Sequence, residues 1–200
     1  MLTIVGGKLT TYRAMAAELV DRVTTMLHEL DGRPRPPRPA TDEEPLPGGE
    51  VHDLEPLGKP GLELGLFTET VEHIVRTYGS ECAAVFNLVR ERRELAAQLV
   101  PGHPAIEAEV VHLARRELPQ RVEDVLVRRI HPFYEAPDHG VGAAQRTAEL
   151  LGGELGWDGD RMEEEAERYR QLAARQLTPA AAAPGTGVEP RCRAPESSLR

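Results

Sequence analysis

The spacing of apolar positions changes character several times along this chain. Leu2-Thr3-Ile4-Val5 is a short apolar run closed by Gly6-Gly7, the pattern of the end of a buried strand. From Thr10 onward, Met15, Leu19, Val23, Met26 or Leu27, and Leu30 recur every three or four positions, as on one face of a helix. Gly32 and then Pro34 stop that helix. Residues 1–32 are therefore expected to form a strand, a tight turn and a helix.

Across residues 33–65 no period survives. Prolines here fix extended backbone and remove hydrogen-bond donors, so no regular element is expected. A connector this long places a domain boundary within it.

Helical spacing resumes in residues 66–177. "TETVEHIVRTYG" is a short helix ended by Gly79, and the next begins near Ser80, a residue suited to an N-cap. Ile106, Val110 and Leu113 make one stripe, bounded by Pro119. Val122, Val125, Leu126 and Ile130 make another. "DHGVGAAQRTAELLGGELGW" is helical in its middle, with Asp138 near its start. "DGDRMEEEAERYRQLAARQL" is the last helix, and Trp157 is placed to anchor these two. Four or five helices with short joints make a small bundle, so the fold class is mostly α. Residues 178–200, rich in Ala, Pro and Gly, are expected to be a disordered tail.

Composition narrows this picture. Only 4% of residues are aromatic, so the core must be built from Leu, Val and Ala. The net charge of -9 argues against nucleic acid as a partner, which demands a basic face. No apolar run approaches the length of a transmembrane segment, and no secretory signal opens the chain. Cys82 and Cys192 form no CxxC or disulfide framework, which fits a reducing cytoplasm.

Candidate chemistry centres on "TIVGGKLTTYR". Glycines let backbone approach a ligand closely, a helix start carries unpaired N–H groups and partial positive charge, and Lys8 adds a full one. Thr10 and Thr11 can cap or donate. Such a socket suits a phosphate, a carboxylate or an electron-rich ring edge. The same spacing also suits a plain strand–turn–helix with a surface lysine. It is not a P-loop, because Leu2 and Leu9 stand where that motif needs Gly and Ser or Thr. "GVGAAQ" fails the dinucleotide fingerprint at Gln145. His131, Glu135, Asp138 and His139 share one break between helices, where capping or solvated roles compete with metal ligation; no metal is expected. Arg128 and Arg129 either support their own helix through Glu123 and Asp124 or dock the bundle on another domain.

Several of these segments are familiar in order. "TIVGGKLTTYR" with its helix and "PLPGG" resembles the end of the flavin domain of FAD-dependent glycerol-3-phosphate dehydrogenases. "TYGSECAAV", "EAEVVHLARRELPQRVEDVLVRRI", and "DHGVGAAQRTAELLGGELGW" followed by "ERYRQL" are similar to that family's C-terminal helical domain. The resemblance runs from about residue 2 to 175, with departures at "RIHPFYEAPDHG" and "RRELPQR".

It implies that residues 1–32 are the remnant of an α/β FAD-binding domain, 33–65 a connector and 66–177 the C-terminal helical domain. It implies FAD as cofactor, glycerol 3-phosphate as substrate and quinone as acceptor, or oxygen in the related oxidases. Gly6, Gly7, Lys8, Leu9 and Thr10 would then contact the flavin, with Lys8 also near the substrate phosphate. Since the dinucleotide fingerprint and substrate domain are missing, the chain would be the last part of such an enzyme: a truncated gene product, a displaced start at Met1, or one piece of a split protein. By itself it would bind FAD poorly, lack turnover and self-associate. A non-catalytic helical interaction module is the alternative. The location implied is cytoplasmic, or peripheral at the inner face of a membrane.

Overall fold

A computed structural model describes residues 2–6, 8–37 and 40–177. Gly7 and the expected tail after 177 lie outside the described residues. The chain divides into two compact units, Met1–Asn87 and Leu88–Arg200, the division falling inside one helix.

In the first unit, a single 3-10 turn at Leu9–Thr11 leads into α1 (Tyr12–Asp31). Gly32 ends α1 in the left-handed conformation (φ 66°), its N–H donating to His28 O. A 3-10 turn at Glu55–Gly58, α2 (Lys59–Glu63), α3 (Thr68–Tyr78) and the start of α4 (Cys82–Glu91) complete the unit. Its core is Val71, Ile74, Val75, Tyr78, Cys82, Val85 and Phe86. Gly61 lets α2 lie on that core: a Cβ there would stand 2.7 Å from Phe86 Cε1 and 2.8 Å from Val71 Cγ2.

Two expectations are corrected here. Residues 2–5 form no strand. A strand satisfies its backbone groups through a neighbouring strand, and among the described residues the only pairing is an isolated bridge between Gln98 and Ile106. The stretch 33–65 is not free of regular elements either, because Pro56 and Pro60 sit in first turns, where a missing N–H costs nothing.

The "PLPGG" stretch is also fastened. Leu46–Gly49 closes a turn through Gly49 N–H to Leu46 O (2.8 Å), and Ser80 N–H donates to Gly48 O (3.0 Å). Gly79 (φ 54°) and Gly48 (φ 86°) cross so closely that a Cβ on either would strike backbone of the other strand of chain. Ser80 was expected to cap α4. Its hydroxyl instead donates to Glu50 Oε2 at 2.6 Å, tying the connector to the end of α3.

The second unit holds α5 (Glu107–Arg116), α6 (Val122–Leu126), α7 (Pro132–Glu135), α8 (Ala144–Leu155) and α9 (Gly159–Leu177). Helix α5 is buried on every side from Glu107 to Ala114, which is why its sequence stripe is broader than that of a surface helix. It packs on α8, which packs on α9, and α6 rests on both α8 and α9. Glu109, fully buried, caps its own helix by accepting Ile106 N–H at 2.8 Å. Trp157 is buried at the joint between α8 and α9, with the Arg161 guanidinium 4.6 Å over its ring.

Candidate functional site

Lys8 stands at the N-cap of the Leu9–Thr11 turn in extended conformation (φ -93°, ψ 108°). Its carbonyl accepts Thr11 N–H at 3.2 Å and the Thr11 hydroxyl at 2.9 Å. Thr11 thus turns inward, leaving Leu9 and Thr10 as the first residues of the turn, whose N–H groups have no acceptor within a helix. Gly6, Lys8, Leu9 and Thr10 are all exposed. Gly6 lies against the Met15 side chain so closely that a Cβ would overlap Met15 Cε. Ile4, Gly6, Lys8, Leu9, Tyr12, Met15, Ala16 and Leu19 line an open groove of about 440 Å³.

This groove has the parts of one wall of a site. The side chains of Ile4, Leu9 and Tyr12 line it beside Lys8 and the unpaired N–H groups of the turn. The chemistry of the donors fits a flavin edge or a phosphate. Gly7, the fifth residue of the set, lies outside the described residues.

In the second unit, the residues of the 131–140 break do not converge on one point. Glu135 Oε2 accepts from His103 Nε2 at 2.9 Å. Asp138 takes the N–H groups of Gly140 (3.0 Å) and Gly142 (3.4 Å). His139 (φ 57°) donates from Nδ1 to Phe133 O at 2.6 Å and stacks on the Phe133 ring at 4.7 Å. The buried Tyr169 hydroxyl closes this turn by donating to His139 O at 2.5 Å. Burial, and secondarily the charge of Asp138, push the Tyr169 hydroxyl pKa up, so it stays a donor. No group of three or more metal-ligating side chains exists among the described residues.

His103 was overlooked in the sequence because "VPGHP" reads as a break. It is buried, and its Nδ1 accepts Ala105 N–H at 3.1 Å, which assigns the proton to Nε2. Both nitrogens are thereby committed, and the adjoining cleft of about 340 Å³ gains a latch between the 98–106 loop and α7. Cys82 is a buried free thiol whose pKa burial raises, so it is inert.

The arginines of "RVEDVLVRRI" are engaged within their own unit. Arg129 clasps the end of α5, donating to Glu117 O (2.9 Å), Glu117 Oε2 (2.9 Å) and Asp124 O (2.7 Å). Arg128 pairs with Asp124 and Glu123, each at 3.0 Å. Two further carboxylates tie helices together: Glu107 to Arg146 by a bidentate pair (2.8 and 2.7 Å) and Glu154 to Arg115 by another (2.7 and 2.9 Å).

Residues 39–162 match the C-terminal domain of alpha-glycerophosphate oxidase. Over 182 residues the chain is 29% identical to a glycerol-3-phosphate dehydrogenase of Synechocystis, covering 90% of this chain and 32% of that protein. It is 30% identical over 185 residues to a mitochondrial glycerol-3-phosphate dehydrogenase of Arabidopsis thaliana (86% of this chain, 29% of that one). It is 32% identical over 176 residues to the mitochondrial enzyme of Bos taurus (86% and 23%). The chain therefore spans about a third or less of the length of these relatives. No helix among the described residues is long and apolar enough to cross a membrane.

Proposed function

The chain belongs to the family defined by the C-terminal domain of alpha-glycerophosphate oxidase, and from that premise we propose that it serves as the C-terminal portion of a flavin-dependent glycerol-3-phosphate dehydrogenase. The observation that carries this reading is the reach of the similarity. A match covering 90% of the chain cannot be drawn from residues after 38 alone, so it takes in part of the N-terminal segment that holds Lys8.

In this reading FAD would supply the hydride-accepting chemistry by which the whole enzyme converts glycerol 3-phosphate to dihydroxyacetone phosphate, with quinone as the onward acceptor. The chain's own residues supply one wall. Gly6 and Gly7 would let backbone approach the ring, and Leu9 and Thr10 would offer their N–H groups to its electron-rich edge. Lys8 offsets the negative charge that gathers there on reduction, or holds the substrate phosphate. Since Lys8, Leu9 and Thr10 are exposed on one open side, these 200 residues by themselves are expected to hold FAD weakly and to show no turnover.

The test is a chimera in which this chain replaces the matching third of the Synechocystis relative. Flavin-loaded, active chimera is expected, with Lys8→Ala lowering kcat/KM by about tenfold or more. A chimera that folds and loads flavin but turns over normally with Lys8→Ala removes Lys8 from the site. A stoichiometric flavin spectrum from the chain alone overturns the one-wall reading. The oxidase reading has the name of the matched family in its favour, and peroxide formation in place of quinone reduction by the chimera would select it.

A further inference from the structure

Thr11 occupies the N-cap of α1, yet its side chain makes no capping bond. A threonine there ordinarily accepts an N–H of the first helical turn through its hydroxyl oxygen. This hydroxyl instead donates backward, to Lys8 O at 2.9 Å, beside the Thr11 N–H that reaches the same oxygen at 3.2 Å. Such a departure from a local rule points to a site rather than to the helix. What the bond fixes follows from peptide geometry. The Lys8–Leu9 peptide is trans, and in a trans unit the C=O and N–H point opposite ways. Holding Lys8 O toward Thr11 therefore turns the Leu9 N–H outward. The next unit repeats the arrangement, since Tyr12 N–H donates to Leu9 O and so turns the Thr10 N–H outward. Met15 backs the first unit. Its Sδ lies 3.3 Å from the Thr11 hydroxyl, and its Cε fills the space beside Gly6. A thioether is a weak acceptor, so the proton stays with the nearer carbonyl oxygen. Thr11 and Met15 are half-buried, while Lys8, Leu9 and Thr10 are exposed.

We propose that Thr11 is a positioning residue for the flavin wall, its hydroxyl holding the Lys8 carbonyl so that the Leu9 N–H is a donor fixed in advance for the electron-rich edge of the ring. This rests on the reading of Gly6, Gly7, Lys8, Leu9 and Thr10 as that wall. A donor fixed before negative charge gathers needs no reorganisation when it does, and that is where such donors gain their effect. Without the hydroxyl, Lys8 O keeps only the longer bond from Thr11 N–H, and the Lys8–Leu9 unit is free to tilt. Thr11 itself touches neither ring nor substrate in this arrangement. Its influence runs through the Leu9 N–H, so it favours the reduced flavin, whose edge carries the added charge, over the oxidised one.

The chimera carrying this chain tests it, with the midpoint potential of the bound flavin as the readout. Thr11→Val keeps the shape and removes the hydroxyl, whereas Thr11→Ser keeps the hydroxyl. Thr11→Val should lower the potential by about 15 mV, which corresponds to about a threefold loss of preference for the reduced form. Thr11→Ser should stay with the parent. Thr24→Val is the control, because the Thr24 hydroxyl makes the same kind of bond, to Asp21 O at 3.1 Å, farther along α1. It should leave the potential unchanged, and an unaltered thermal transition in all three variants shows that they fold. A Thr11→Val chimera with the parent's potential overturns the proposal, while the response to Lys8→Ala still decides the flavin reading. Equal shifts from Thr11→Val and Thr11→Ser overturn it by assigning the effect to packing. Equal shifts from Thr11→Val and Thr24→Val overturn it by assigning the effect to the helix as a whole. A parent chimera that folds but takes up no flavin overturns both this proposal and the reading beneath it.

Discussion

Two glycines show how differently one residue type can matter here. Gly156 ends α8 with φ 72° and open space around its α-carbon, its N–H and that of Trp157 both donating to Gly152 O. Gly79 has a comparable φ, yet a side chain there would drive into Gly48 O. Gly156→Ala is expected to cost about 1 kcal/mol, the usual penalty for a left-handed alanine. Gly79→Ala meets a backbone clash and a backbone region (φ 54°, ψ -128°) outside the left-handed helical one, and should cost about 3 kcal/mol or more. Urea denaturation of both variants checks this, and equal costs would show that the Gly48–Gly79 crossing yields easily. Arg146 matters through charge instead. Removing it leaves the Glu107 carboxylate, only 8% exposed, without its bidentate partner, so Arg146→Ala should cost about 2 kcal/mol. Glu107→Gln in the Arg146→Ala background should recover part of that loss in the same assay.

At the scale of elements, the helices were legible because their burial follows a period of 3.6. The stripes at Ile106–Leu113 and Val122–Ile130 became α5, α6 and the turn after it. Residues 2–5 were misread as a strand, because apolar residues in a row do not supply the neighbouring strand that backbone pairing needs. The helical turns at 55–63 were hidden by a misread of proline, which breaks a helix interior but opens a first turn. The candidate site is proposed from a local pattern that includes Gly6, Lys8, Leu9 and Thr10, while the ties between helices were invisible in the sequence, since Arg115 and Glu154 stand 39 residues apart. That tie has a pH signature. Hydrogen bonding from Arg115, with its charge and that of Arg92, holds the Glu154 carboxyl below its ordinary range against the opposing effect of burial. A depressed folded-state pKa contributes stability above the unfolded value of about 4.3 and loses it as pH falls through the folded value. Parent chain and Glu154→Gln should therefore differ by about 1 kcal/mol near neutrality and converge below about pH 4. A difference that persists in acid would assign the effect to shape and not to charge.

Considered whole, the chain joins a helix that buries nothing to a bundle whose central helix is buried all round. Those two parts should not melt together. The bundle's stability comes from contacts within one chain, so its transition should not move with protein concentration. Helix α1 contributes no side chain to a core, and a lone helix of its length is marginal in water, so it should lose its order first. Circular dichroism on heating should accordingly show an early loss of helix from about a tenth of the residues and then a later cooperative transition. Deleting residues 1–37 should abolish the first step and leave the second within a few degrees, since no side chain of α1 lies in a core. A single cooperative transition, or a bundle that collapses on the deletion, would mean that α1 is integral to the fold.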